Sequence, residues 1–187
     1  MHFEQLPHVL IRAAIRAALA AGAACVLLLA GCQSAHISES VVAKYHGDDV
    51  GGQLDFWHEL AERKLTSNDD AFHGLLLYLD NSDPSTSYDQ RLAALGSRGL
   101  LPDHFSEPAD LAVERGTIAY AIVKDLHIRG GWVMHAFGPS PRYAVKELVD
   151  AGVFPPSSPQ QTFSGSEFVG VIGKMEDYQA SASAVSP

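Results

Sequence analysis

Cysteine is almost absent from this 187-residue chain, which has only Cys25 and Cys32. No disulfide framework can therefore hold a small fold together. Cations are scarce as well, 13 Lys and Arg against 22 Asp and Glu for a net charge of −9. Such a balance argues against nucleic acid or an anionic bilayer surface as partners. The apolar segment 17–32 falls short of the roughly 20 residues that a spanning helix needs, and polar Gln33 and Ser34 follow it at once. Catalytic and metal spacings are missing too. His58-Glu59-Leu60-Ala61-Glu62 has a glutamate where the zinc-protease helix needs its second histidine. Gly165-Ser166 lacks the nucleophile elbow, and Asp69-Asp70 and Asp80-Asn81-Ser82-Asp83 lack the EF-hand spacing. No enzyme, metal site or dissociable cofactor is expected.

What is present begins at the N-terminus. Arg12 and Arg16 precede an uncharged stretch that ends in Val26-Leu27-Leu28-Leu29 and then Leu29-Ala30-Gly31-Cys32. This ending resembles the bacterial lipobox. The resemblance implies a signal peptide over 1–31 and a mature chain that starts at Cys32, carrying a covalent diacylglycerol and an N-acyl lipid. Gln33, rather than aspartate, after the cysteine implies an outer-membrane, periplasm-facing address. After position 31 there remain 156 residues with 11 basic and 21 acidic side chains, enough for one domain. Cys25 leaves with the signal, so the fold rests on apolar burial. Residues 32–53 lack a hydrophobic period and carry serine and glycine breakers, which reads as a flexible tether. About 20 such residues reach roughly 70 Å when extended. Residues 179–187 read as a disordered tail.

The middle of the chain repeats itself. Phe72, Leu75, Leu76 and Leu79 form a helical stripe, matched by Phe168, Val171, Ile172 and Met175 and, with one lapse at Asp125, by Ile118, Ala121 and Ile122. Asn68 and Ser164 stand where N-caps belong, Ser164 with Glu167 makes a capping box, and Glu114 is a poorer cap. Each stripe has a shorter helix before it. Leu92, Leu95, Gly99, Leu100 and Pro102 share their spacing with Val145, Leu148, Gly152, Val153 and Pro155, a helix stopped by a C-cap glycine. Phe56 to Leu65 supplies the first, with Lys64 in the glycine's place. The expectation is an all-α domain over 54–178, in three helix-loop-helix units near 54–80, 88–126 and 142–178.

This pattern resembles the S-layer homology family, whose second helices follow a Phe-x-Pro and a Thr-Arg-Ala-Glu-like motif. Phe105, Pro108 and Val113-Glu114-Arg115 carry the resemblance best, and Thr162-Phe163-Ser164-Gly165-Ser166-Glu167 keeps the cap and the glutamate. It implies a compact, pseudo-threefold domain with grooves for cell-wall glycopolymer, in which the motif arginine meets an anionic saccharide. Only Arg115 keeps that arginine, since Asp69 and Gly165 stand at the other two places. From its own chemistry an arginine in a first helical turn is more often an exposed charge.

The repeat leaves residues 128–139 unexplained. Gly130-Gly131 is a breaker, and Trp132 to Phe137 reads as a short strand before the Gly138-Pro139 turn. Arg129 and Trp132 could line a sugar site, by hydrogen bonding and stacking. The favoured reading has Trp132 and Phe137 plugging the space between units. The functional expectation is a non-catalytic envelope lipoprotein. It is held to the membrane through its lipid and contacts peptidoglycan, another wall polymer or an envelope protein. An envelope scaffold without polymer binding is the alternative, and a wall-modifying hydrolase or lyase a more distant one.

Overall fold

The computed structural model describes residues 35–45, 49–128 and 130–185, all in the unit Ala35–Pro187. The lipobox, Cys32 and Arg129 lie outside the described residues. The fold is all-α, as expected; strand pairing among the described residues is limited to isolated bridges. Helix α1 spans Val50–Ala61, α2 Asn68–Asp80, α3 Tyr88–Ser97, α4 Arg115–Asp125, α5 Trp132–Phe137, α6 Pro141–Asp150 and α7 Gly165–Val185.

Local chemistry explains most of these boundaries. Asp49, Ser67, Ser87 and Ser140 cap α1, α2, α3 and α6 through their side-chain oxygens, and Pro141 opens α6 with its φ already helical. At α7 the capping box forms: Glu167 N donates to Ser164 Oγ at 3.3 Å and Ser164 N to Glu167 Oε2 at 2.9 Å. Glu114 makes no side-chain cap bond to α4. Gly99 and Gly152 take the left-handed φ of 67° and 75° that a C-cap asks of them. Behind each, an apolar residue closes the turn, Leu100 N to Leu95 O at 3.0 Å and Val153 N to Leu148 O at 2.9 Å.

The short helices lie mainly on long helices other than those that follow them, although Phe56 of α1 also meets His73 of α2. α3 lies on α2, α6 on α4, and α1 on α7, while α2 also touches α7. The first helix of the chain thus meets the last. The wiring at the starts of α2, α4 and α7 follows the same cycle. The leading amide of each donates to a loop elsewhere: Asn68 N to Leu111 O at 2.9 Å, Arg115 N to Gln161 O at 2.8 Å and Gly165 N to Arg63 O at 2.9 Å. Amides that a helix cannot satisfy internally are satisfied here across long sequence separations. Thr66 N to Phe163 O and Val113 N to Thr66 O tie the centre of this ring. Below it, Phe56, Leu60, Phe72, Ile118, Ile122, Leu148, Phe163, Phe168 and Met175 are buried completely.

Several expectations are corrected. Ser67, not Asn68, caps α2, which moves the first unit's frame by one residue. Asp70 then stands in the capping acid's place, where its amide donates to Ser67 Oγ at 3.0 Å. Asn68 donates instead through its side chain to Pro108 O at 2.8 Å. Residues 35–45, read as tether, pack against the domain. Ala112 N donates to Ala35 O, Ile37 N to Asp110 O, and Ser40 Oγ and Val42 N both reach Asp70 Oδ1, at 2.6 and 2.9 Å. Val41 and Val42 enter the core. Their single apolar pair is too short to register as a period, yet it anchors the segment. The expected strand at 132–137 is helix α5, because Gly131 and Gly138 delimit too short a stretch for a period of two to prevail. The expected tail continues α7 as far as Val185, since nothing in Gln179 to Ala184 breaks a helix.

At Gly165 no side chain fits. A Cβ there would overlap the carbonyl of Leu60, where α1 ends against the start of α7. Gly165→Ala should therefore cost about 3 kcal/mol or more, as overpacking against backbone, read as a lowered urea midpoint. Gly173→Ala, on the same helix with open space around it, should be neutral or stabilising.

Candidate functional site

Arg115 is not an exposed charge. It is 1% exposed and among the largest fully buried side chains. The first position of α4 faces the ring of loops, so its side chain runs inward toward the third unit. Nη2 donates to Glu167 Oε1 at 2.6 Å, Nε to Thr162 O at 3.2 Å, and the guanidinium lies 4.9 Å over the Phe163 ring. Arg115 therefore joins two segments of its own chain. Glu167 is the capping acid of α7. The Ser164 backbone bond, together with Arg115 and the Ser164 hydroxyl, holds its carboxyl below the usual range.

A second buried arginine was not anticipated. Arg91, on the inward face of α3, donates from Nε to Asp83 Oδ2 at 2.5 Å, from Nη1 to Asp69 Oδ1 at 2.9 Å and from Nη2 to Ser85 O at 3.0 Å. Asp83 also bonds His73 Nδ1 at 2.6 Å, and the His73 ring meets Phe56 edge-on. Burial pushes the Asp83 carboxyl up, but bonds from His73, Ser85 and Arg91 outweigh it and hold the carboxyl well below the usual range. Asp69 moves the other way, raised by burial against the opposing pull of Arg91. The Asp83 side chain is 0% and that of Asp69 16% exposed, and both are spent on Arg91. Asp69, Asp83 and Arg91 line a cleft of about 390 Å³ together with Ser85, Thr86 and Tyr88. The arrangement clamps the 81–87 loop to α2 and α3. In the sequence Arg91 shows only as one cation on a helix, and no local spacing links it to acids 8 and 22 residues away.

Residues 128–139 also depart from expectation. Trp132 is 79% exposed, so it does not plug a gap between units. Its helix is fixed instead by Met134, which is buried, and by Glu147 Oε1, which accepts from Gly131 N at 2.8 Å. Arg115 and Trp132 are on different elements and in different surroundings, one within the ring and one at the surface. Around His58, Glu59 is engaged by Lys44 at 2.7 Å and Arg63 at 2.5 Å. Among the described residues no three His, Cys, Asp or Glu side chains converge as a metal site, and no helix is long and apolar enough to cross a membrane.

No protein-family model matches this sequence, and no curated protein matches it.

Removing Arg115 strands the partly exposed Glu167 and a backbone carbonyl, so Arg115→Ala should cost about 2 kcal/mol, below the usual figure for a fully buried pair. Asp83→Asn should cost about 3 kcal/mol at pH 7 by weakening a fully buried partner of Arg91. The pH dependence follows in sign. With its folded pKa depressed, Asp83 supplies stability that is present above its unfolded value of roughly 4 and lost as pH falls through the folded value. Asp69, with its raised pKa, acts on the other side of the unfolded value, where protonation just above it favours the folded form. The wild-type urea midpoint should therefore change little from pH 7 to 5 and fall from pH 5 to 3, and fall less for Asp83→Asn.

Proposed function

We propose that the chain is a lipid-anchored, non-catalytic envelope protein of the outer membrane whose helical domain contacts a wall polymer or an envelope protein. The observation that carries this reading is Trp132, 79% exposed on a short helix. An exposed tryptophan on a pinned backbone suits a partner surface, where burying it is worth about 2 to 3 kcal/mol. The lipobox resemblance supports the anchor on Cys32. The cyclic pairing of α1 with α7, α3 with α2 and α6 with α4 supports a three-unit, S-layer-homology-like domain. Its motif arginine binds within the domain, so a saccharide contact would use other side chains.

The packing of residues 35–45 favours a second reading, a scaffold for a partner near the membrane. Gln33 and Ser34 alone stand between Cys32 and Ala35, three chain steps that reach at most about 11 Å, and this replaces the reach of a long tether. Cys32→Ala should abolish labelled-palmitate incorporation and release the protein from the membrane fraction. Co-sedimentation of the purified protein with isolated sacculi tests polymer contact, with Trp132→Ala expected to weaken retention about fivefold or more. Absence of retention, combined with a stoichiometric protein crosslink through Trp132, would leave the scaffold reading in its place.

A further inference from the structure

Residues 35–37 are fixed at one end of the domain. Ala112 N donates to Ala35 O at 2.9 Å, Ile37 N donates to Asp110 O at 2.8 Å, and His36 Nδ1 bonds Asp110 Oδ2 at 2.9 Å. The loop that holds them lies over the start of α2, whose Asn68 and Asp69 amides donate to Leu111 O and Ala109 O. Ala35 thus emerges where α2, α4 and α7 begin. Those three helices run side by side away from it. Their starts share the ring of amide bonds, and their later turns converge again, since burial and the carboxylates of Asp125 on α4 and Glu176 on α7 raise the Tyr78 hydroxyl of α2. The opposite end is marked by Asp80, the last residue of α2, bonded to Arg98 just beyond α3 at 3.0 and 2.6 Å. From Asn68 to Asp80 the helix rises about 18 Å.

The chain before Ala35 sets a distance. Three chain steps from Cys32 reach at most about 11 Å, less than the length of α2. A diacylglycerol on Cys32 keeps that residue at the level of the headgroups. The near end of the domain is therefore within reach of the bilayer, and the Asp80 end meets it only if the whole bundle tips over. The near edge carries exposed Glu107, Asp110 and Glu114. Their carboxylates repel an anionic headgroup and suit the ammonium of a zwitterionic one. Trp132 lies away from this edge, because Met134 of its helix shares a cleft with Val123 and Ile128, at the far end of α4.

We propose that the domain stands on the bilayer by the end where α2, α4 and α7 begin, with residues 35–37 and 106–110 against zwitterionic phospholipid headgroups. The opposite end and Trp132 face away from the lipid. This rests on the lipid-anchor reading of Cys32 and adds to it which surface the membrane covers. The test uses the full-length lipidated protein in phosphatidylcholine vesicles that carry a nitroxide quencher on some headgroups. Fluorophores are attached through single cysteines, by Ser106→Cys at the near edge, Ser97→Cys at the far end or Trp132→Cys, all exposed positions. Cys32, being lipidated, takes no label. The Ser106→Cys label should lose most of its emission, and the other two should keep most of theirs. A flexible Gly-Ser insertion of about 20 residues between Ser34 and Ala35, which adds roughly 70 Å at full stretch, should restore the Ser106→Cys emission. Admixed phosphatidylglycerol should weaken the quenching at that position. Absence of quenching there, a signal indifferent to the insertion, a gain with phosphatidylglycerol, or equal or stronger quenching at either other position would overturn the proposal. Protein that incorporates no palmitate would overturn the anchor reading together with this orientation, whereas any of the preceding results from palmitate-labelled protein removes the orientation alone.

Discussion

The fold depends on where three helix N-termini send their first amides. A helix start leaves donors without internal partners, and here Asn68, Arg115 and Gly165 each donate across the domain to Leu111, Gln161 and Arg63. The cycle of these bonds is closed. No segment can leave without stranding a donor in one neighbour and an acceptor in the other, which gives an all-α domain without disulfides a cooperative centre. The pairing of α1 with α7 is the packing counterpart of the same closure, bringing the beginning and end of the domain together.

Charge burial reinforces the ring where capping is weakest. Glu114 gives α4 no side-chain cap, yet Arg115 one residue on is tied to the cap of α7 through Glu167. Asp70 serves two elements at once, closing the start of α2 and receiving Ser40 and Val42 of the N-terminal segment. Arg91 does the same for the 81–87 loop through Asp83 and Ser85. Arg91 and Asp83 are buried together and Arg115 is buried against a partly exposed Glu167, so each buried charge keeps its partner. These pairs keep much of the ionic side-chain chemistry within the domain, whereas Trp132 stands at its surface.

A fold of this kind separates positions that look alike in sequence. Arg115, Asn68 and Gly165 occupy the same helical position, yet one is a buried clamp, one donates to the Pro108 carbonyl and one is small because Leu60 leaves no room. An arginine at a motif place therefore carries no binding role by itself. The surroundings of each start site differ because α1, α3 and α6 approach the ring with different loops.

By itself the sequence determined the helices, because their signals are local. The stripe through Phe72, Leu75 and Leu76, the Ser164 and Glu167 box and the Gly99 and Gly152 stops all act within a turn or two of the chain. Where local signals were short or ambiguous, as at Ser67 against Asn68 or along 132–137, only packing chose. The buried roles of Arg115 and Arg91, the docking of Val41 and Val42 and the exposure of Trp132 were decided by tertiary structure. Their partners lie tens of residues away, and an amphipathic period states which face is apolar without stating what will cover it.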